Sequence, residues 1–136
     1  LFGGGLALSA VLSATGANLY LAQQLEMLSA GLSLYWLLLL VILFIIFMTE
    51  ISSNTALSAL MIPTFMGMAD VMGLDTTMIV SAIAIAASCA FILPVATPPN
   101  AIVFSSGYIP QNTMMKVGLI LNLIFSMIIT SYMFWL

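Results

Sequence analysis

Fifteen consecutive apolar residues, Leu34 to Met48, run directly into Thr49, Glu50, Ile51, Ser52, Ser53, Asn54 and Thr55, after which the chain is largely apolar again as far as Ala69. Continued as one helix at 1.5 Å per residue, Leu34 to Ala69 would extend on the order of 50 Å, well beyond a hydrocarbon core of about 30 Å. The helix is therefore interrupted. Split at Ser52 to Thr55, it yields two arms of roughly 25 and 20 Å, each short for a full crossing. Two short arms with a polar tip read as a re-entrant hairpin over residues 34–70; the alternative is two ordinary spans joined by a surface loop. Pro63 and Gly67 in the second arm, which ends at Asp70 after about four turns, weigh against that alternative. A polar tip at membrane depth needs protein or a water-filled cavity around it, because lipid leaves backbone groups unsatisfied.

Composition identifies the solvent. Hydrophobic residues make up 64% and charged residues 4%, with a mean hydropathy of +1.31, against roughly half and a quarter for soluble domains. This is an integral membrane chain in contact with the lipid bilayer. Its formal charge of -3 rests on Glu26, Glu50, Asp70, Asp75 and Lys116, which leaves neither a basic surface for nucleic acid nor a solvated acidic tail. Cys89, the single cysteine, reads as a small packing residue, and the eleven methionines as packing filler rather than metal ligands. With no histidine and no HExxH pattern, the chain offers no metal centre or nucleophile–base pair for an enzyme. It opens on Leu1 within an apolar run, without an initiator methionine or a basic flank, and reads as a piece of a longer protein.

A second interruption follows the hairpin. Thr76 to Leu93 predicts a helix in which Ala82, Ala86 and Ala90 recur every fourth residue, a small-residue face suited to close approach in lipid. "PVATPPN" then stops it, because Pro94, Pro98 and Pro99 lack N–H donors and clash with a preceding turn. The restart is well formed: Thr97 is a good N-cap, Pro98 suits the first helical position, and an apolar half-helix follows from Ala101 to Phe104. Residues 76–109 thus read as one discontinuous transmembrane helix. In the final segment, 112–136, Val117 to Leu136 reads as a plain transmembrane helix, with Lys116 at one end and Tyr132 and Trp135 near the other. The lysine places its start on the cytoplasmic side. Residues 1–33 read as an amphipathic or broken helix in the interface, or as the tail of an earlier span. The fold class predicted is an all-α membrane protein built of transmembrane helices, one re-entrant hairpin and one broken helix.

Both breaks share one polarity. Each restart is expected to aim unpaired N–H groups and about half a positive elementary charge at the break, while each preceding half-helix presents carbonyls. If the breaks face one another, an anion meets the helix starts after Thr55 and Thr97, with Asn54 and both threonine hydroxyls as donors. A hard cation meets carbonyls and hydroxyls around Thr49, Ser52, Asn54 and Ala96. Two helix starts supply at most about +1, whereas a dicarboxylate carries about -2, so a cation must assist. Sodium is the economical candidate; basic groups elsewhere in a longer protein are the alternative. The layout suits a transporter's binding centre, and two capped breaks suit occlusion better than passive conduction.

"SSNTA" followed by an apolar arm, then "SCAFILPVATPPNAIVFSSGYI", with "LFGGGLALS" near the start, resembles the C-terminal half of the divalent anion/sodium symporter family, the INDY-like di- and tricarboxylate transporters. The resemblance implies two inverted repeats, each with a hairpin tipped by Ser-Asn-Thr and a broken helix with a Thr-Pro turn. It also implies a homodimer, an elevator movement of a transport domain, and residence in the inner (cytoplasmic) membrane of a bacterial cell. On its terms Ser53, Asn54 and Thr55 form the tip of the second hairpin and, with Thr97 and Pro98, line the substrate site. Thr49, Ser52, Asn54 and Ala96 would hold a sodium ion, Ser52 and Ala96 through backbone carbonyls. Residues 1–33 would include the arm helix that links the moving domain to the scaffold. The function implied is sodium-coupled symport of succinate-like divalent anions, with an anion exchanger or proton-coupled transporter on the same scaffold as the alternative. Glu50 stands apart from the ligand set: it would pair with a basic group or raise local cation affinity.

Overall fold

The computed structural model describes residues 33–135 and isolated positions within residues 7–27, so the predicted arm region, 1–33, lies almost wholly outside the described residues. Over residues 33–135 five helices follow one another: α1 (Leu34–Thr49), α2 (Asn54–Met72), α3 (Thr76–Ala86), α4 (Pro98–Ser105) and α5 (Gln111–Trp135). Among the described residues there is no strand.

α1 is apolar on all sides, so its sequence alone does not select an inward face. Packing selects one. Leu38, Ile42, Ile45 and Ile46 are fully buried, while Trp36, Leu40, Phe44 and Phe47 stay exposed, two stripes set by helical spacing. The buried stripe joins Ile79, Ala82, Ile83 and Ala86 of α3, Leu57 and Ala69 of α2, and Ile129 and Met133 of α5 in one core. α1 lies chiefly against α5 and α3, and α2 chiefly against α3. Tyr35, at the start of α1, shares a hydrogen bond with Ser131 (3.2 Å) and an edge-on ring contact with Phe134 (5.7 Å), near the end of α5. The two helices are therefore antiparallel.

α2 continues through Pro63 and ends at Gly73, whose φ of +67° forms a left-handed cap. The Gly73 N–H reaches the Asp70 carbonyl and the Leu74 N–H the Ala69 carbonyl (2.9 Å), satisfying carbonyls that the helix leaves open. Asp75 then caps α3 by accepting the Met78 N–H at 3.1 Å. Asp75→Ala is expected to cost about 1 kcal/mol of stability and Asp75→Ser almost nothing; thermal unfolding of the intact protein followed by tryptophan fluorescence checks both.

α5 is the one helix among the described residues long and apolar enough to cross a membrane; α1 and α3 are shorter apolar helices. It is less plain than its composition predicts. Gly118, Asn122, Ser126 and Thr130, four residues apart, are buried along one face. The Ser126 and Thr130 hydroxyls donate to carbonyls of their own helix, whereas Asn122 reaches across to another element.

The second break also departs from the predicted position. α3 stops at Ala86, not Leu93. The N–H groups of Ala87, Ser88 and Cys89 still donate to carbonyls of the last turn, but those of Phe91, Ile92 and Leu93 are taken by a side chain from elsewhere in the sequence. Residues 87–97 are consequently non-helical, well before the prolines act.

Candidate functional site

Glu50 follows the last residue of α1 and is 4% exposed. Its Oε1 accepts the backbone N–H groups of Phe91 (2.8 Å) and Ile92 (2.9 Å) and the Asn122 side-chain amide (2.7 Å), while Oε2 accepts the Leu93 N–H (2.9 Å). Four donors converge on one carboxylate, and neither a lysine nor an arginine is among them. Among the described residues Glu50 is thus paired with peptide N–H groups and one side-chain amide. Carbonyls of the same segment are met from another side: the Asn100 side-chain amide donates to Ala90 (2.9 Å) and Leu93 (3.0 Å). Backbone that could not persist bare in lipid is satisfied by side chains from the C-cap of α1, from α4 and from α5.

Close approach of α5 completes this seat. A Cβ on Gly118 would lie 2.2 Å from the Phe91 carbonyl oxygen and 2.6 Å from the Ile92 Cα, so only glycine permits the contact. The Phe91 and Phe125 rings, 5.2 Å apart, close it from the side.

On the other side of the break a cavity of about 590 Å³ is lined by Glu50, Ile51, Ser52, Ser53, Asn54, Thr55, Val95, Ala96 and Pro98. The hairpin tip and the helix restart therefore share one space. Of the residues singled out by sequence, Ser52, Ser53, Asn54, Thr55, Ala96 and Pro98 line it, whereas Thr49 and Thr97 do not. Thr49 is fully buried, and its hydroxyl faces both Asn54 Oδ1 and the Ala87 carbonyl (2.9 Å). Three oxygens meet there around one hydroxyl proton, so one carbonyl oxygen receives no proton from Thr49. The Ser52 hydroxyl donates to the Met48 carbonyl at 2.7 Å, and the Ala96 N–H to that of Leu93 at 3.1 Å.

The two helix starts differ. α2 begins at Asn54 with Ser53 as its N-cap, one step before the threonine expected, and the Ser53 hydroxyl accepts the Ala56 N–H at 3.4 Å. The Asn54 and Thr55 N–H groups, among the described residues, donate to no protein group. α4 begins at Pro98 with Thr97 as N-cap, accepting the Asn100 N–H at 3.4 Å. Its first two positions are prolines without N–H groups, so the unpaired donors expected there are missing. What Thr97 retains is a hydroxyl proton, left over because its oxygen serves as the cap's acceptor.

Asn122, Asn100 and Gly118 carry the seat of the break, and sequence reasoning did not select them. The four-residue repeat Gly118, Asn122, Ser126, Thr130 inside an apolar helix was the signal for two of them.

Braced non-helical backbone beside an oxygen-lined cavity and a membrane-length helix is an arrangement that membrane transporters use. The chain belongs to the family described as the sodium:sulfate symporter transmembrane region, which it matches over residues 1–136. It is 51% identical over its whole length to an uncharacterized transporter of Haemophilus influenzae, of which it covers 30%. Over 97% of its length it is 40% identical to an uncharacterized transporter of Methanocaldococcus jannaschii, again covering 30%. A sodium-dependent dicarboxylate transporter, SdcS, of Staphylococcus saprophyticus is 38% identical over the whole chain and covered to 26%. The chain thus spans less than a third of the length of the curated relatives it matches.

Proposed function

We propose that the chain forms one half of the binding centre of a sodium-coupled symporter that carries succinate-like dicarboxylates across a bacterial cytoplasmic membrane. Residues 34–70 act as a re-entrant hairpin, and residues 76–109 as the broken helix of one inverted repeat. A preceding repeat completes the substrate site. The intact protein works as a homodimer whose transport domain moves like an elevator. Sequence similarity to the sodium-dependent dicarboxylate transporters supports the substrate and the ion.

The single observation that carries this reading is the cavity shared by Ser53, Asn54, Thr55, Ala96 and Pro98, joined through Asn54 to the buried Thr49 hydroxyl. A dicarboxylate end docks against the Asn54 and Thr55 N–H groups at the positive end of α2 and against the Thr97 hydroxyl. Sodium, as co-substrate, takes the hard oxygens of Thr49 and Asn54 and the backbone carbonyls of Ser52 and Ala96. Its charge offsets the part of the anion's charge that the start of α2 and the Thr97 hydroxyl leave unbalanced.

Uptake by vesicles containing the intact protein tests this. Labelled succinate is expected to accumulate under an inward sodium gradient and not when choline replaces sodium. Accumulation that ignores sodium but requires an anion on the trans side would overturn symport in favour of exchange, and accumulation driven by a proton gradient alone would favour proton coupling.

A further inference from the structure

We infer that Glu50 is a positioning residue of the transport cycle: its carboxylate holds residues 91–93 in their non-helical shape before any ion or anion arrives, and so presets the ligand-bearing residues that follow. The proposal rests on the proposed sodium coupling only for its transport readout.

Glu50 and Asn122 meet from opposite elements, one at the end of α1 and one in the middle of α5, and the break is held between them. Both carboxylate oxygens already accept N–H donors, one of them three. A carboxylate so occupied has little capacity left for direct ligation of a cation, although Glu50 borders the cavity. Its influence runs through the backbone instead. Leu93, whose N–H is held by Oε2, accepts the Ala96 N–H through its carbonyl and the Asn100 amide through the same oxygen. Fixing Leu93 therefore fixes the turn that carries Ala96 and Thr97 into position. Without Glu50, the half-buried N–H groups of Ile92 and Leu93 would lose their acceptor and that of Phe91 would keep only Asn122 Oδ1 at 3.3 Å, so the segment would rearrange to find new ones.

Glu50→Gln keeps size but turns an acceptor into an NH₂ donor that must face either Leu93 or the Phe91, Ile92 and Asn122 donors. In the intact protein, without sodium, amide hydrogen exchange across residues 90–94 is expected to accelerate at least about tenfold, and half-saturating sodium for uptake to rise by about as much. Maximal uptake per assembled protein should change far less. Asn122→Ala, which removes one donor to Glu50 and the second acceptor of the Phe91 N–H but leaves the three backbone bonds to Glu50, is expected to produce smaller shifts of the same two kinds, and it decides the matter if Glu50→Gln does not assemble. Native exchange rates in sodium-free buffer with raised half-saturating sodium would overturn the proposal in favour of direct ligation. Reduced yield with unchanged exchange and unchanged sodium dependence in the assembled fraction would overturn it in favour of a purely structural role. If native uptake ignores sodium, the symport reading fails while the exchange measurement still decides the role of Glu50.

Discussion

Gly118→Ala in the intact protein is expected to lower the thermal midpoint and abolish uptake, although alanine is the better helix former by about 1 kcal/mol. The reason lies in what the new methyl group meets. It would fall 2.2 Å from the Phe91 oxygen, 2.5 Å from its carbonyl carbon and 2.6 Å from the Ile92 Cα, all backbone atoms. No side chain can swing aside, so α5 and residues 91–92 must separate. Overpacking of a core commonly costs about 1–3 kcal/mol, and this case lies at the upper end or beyond, because separation also stretches the Asn122–Glu50 bond of 2.7 Å. A melt of the purified variant, with uptake in parallel, checks the outcome; a midpoint equal to or above native would show that the approach of α5 to the break is not as close as described.

Asn54→Ala and Thr97→Ala are each expected to bring uptake to background while leaving assembly intact. Asn54 lines the cavity and contributes the oxygen that faces Thr49, so its loss removes both a proposed substrate contact and a proposed sodium ligand. At the start of α4 Pro98 and Pro99 supply no donor and the Asn100 amide is engaged by Ala90 and Leu93, which leaves the Thr97 hydroxyl. Hydrogen bonds to charged groups are worth about 1.5–3 kcal/mol, or roughly ten- to a hundredfold in affinity each. Thr97→Ser should retain most of the activity because the hydroxyl survives. Uptake kinetics with size-exclusion profiles of each variant decide the assignment, which normal transport by both alanine variants would refute.

The two breaks were legible because they rest on local chemistry. A polar run after fifteen apolar residues does not continue bare through lipid, and Thr97-Pro98 has the pairing of cap and first residue that helix starts favour. The extent of the second break was not legible. Nothing local unwinds Ala87 to Leu93, a stretch of small and apolar residues that would serve well in a helix. The N–H groups of Phe91, Ile92 and Leu93 leave the helical ladder because Glu50, 41 to 43 positions earlier in the chain, collects them. For the same reason the seat residues Asn122 and Gly118 looked like incidental features of a transmembrane span. The weakness of α4 as a source of N–H donors, by contrast, was written in its two prolines.

By itself the sequence determined the solvent, the helical class and the places where helices must begin again, since hydropathy, length and capping are properties of neighbouring residues. Tertiary structure alone decided which face of α1 is inward, where α3 ends, and that Ser53, Asn54 and Thr55 share a cavity with Ala96 and Pro98. Those outcomes depend on donors and acceptors far apart in the chain. A buried peptide group takes whichever partner the packed helices bring within about 3 Å.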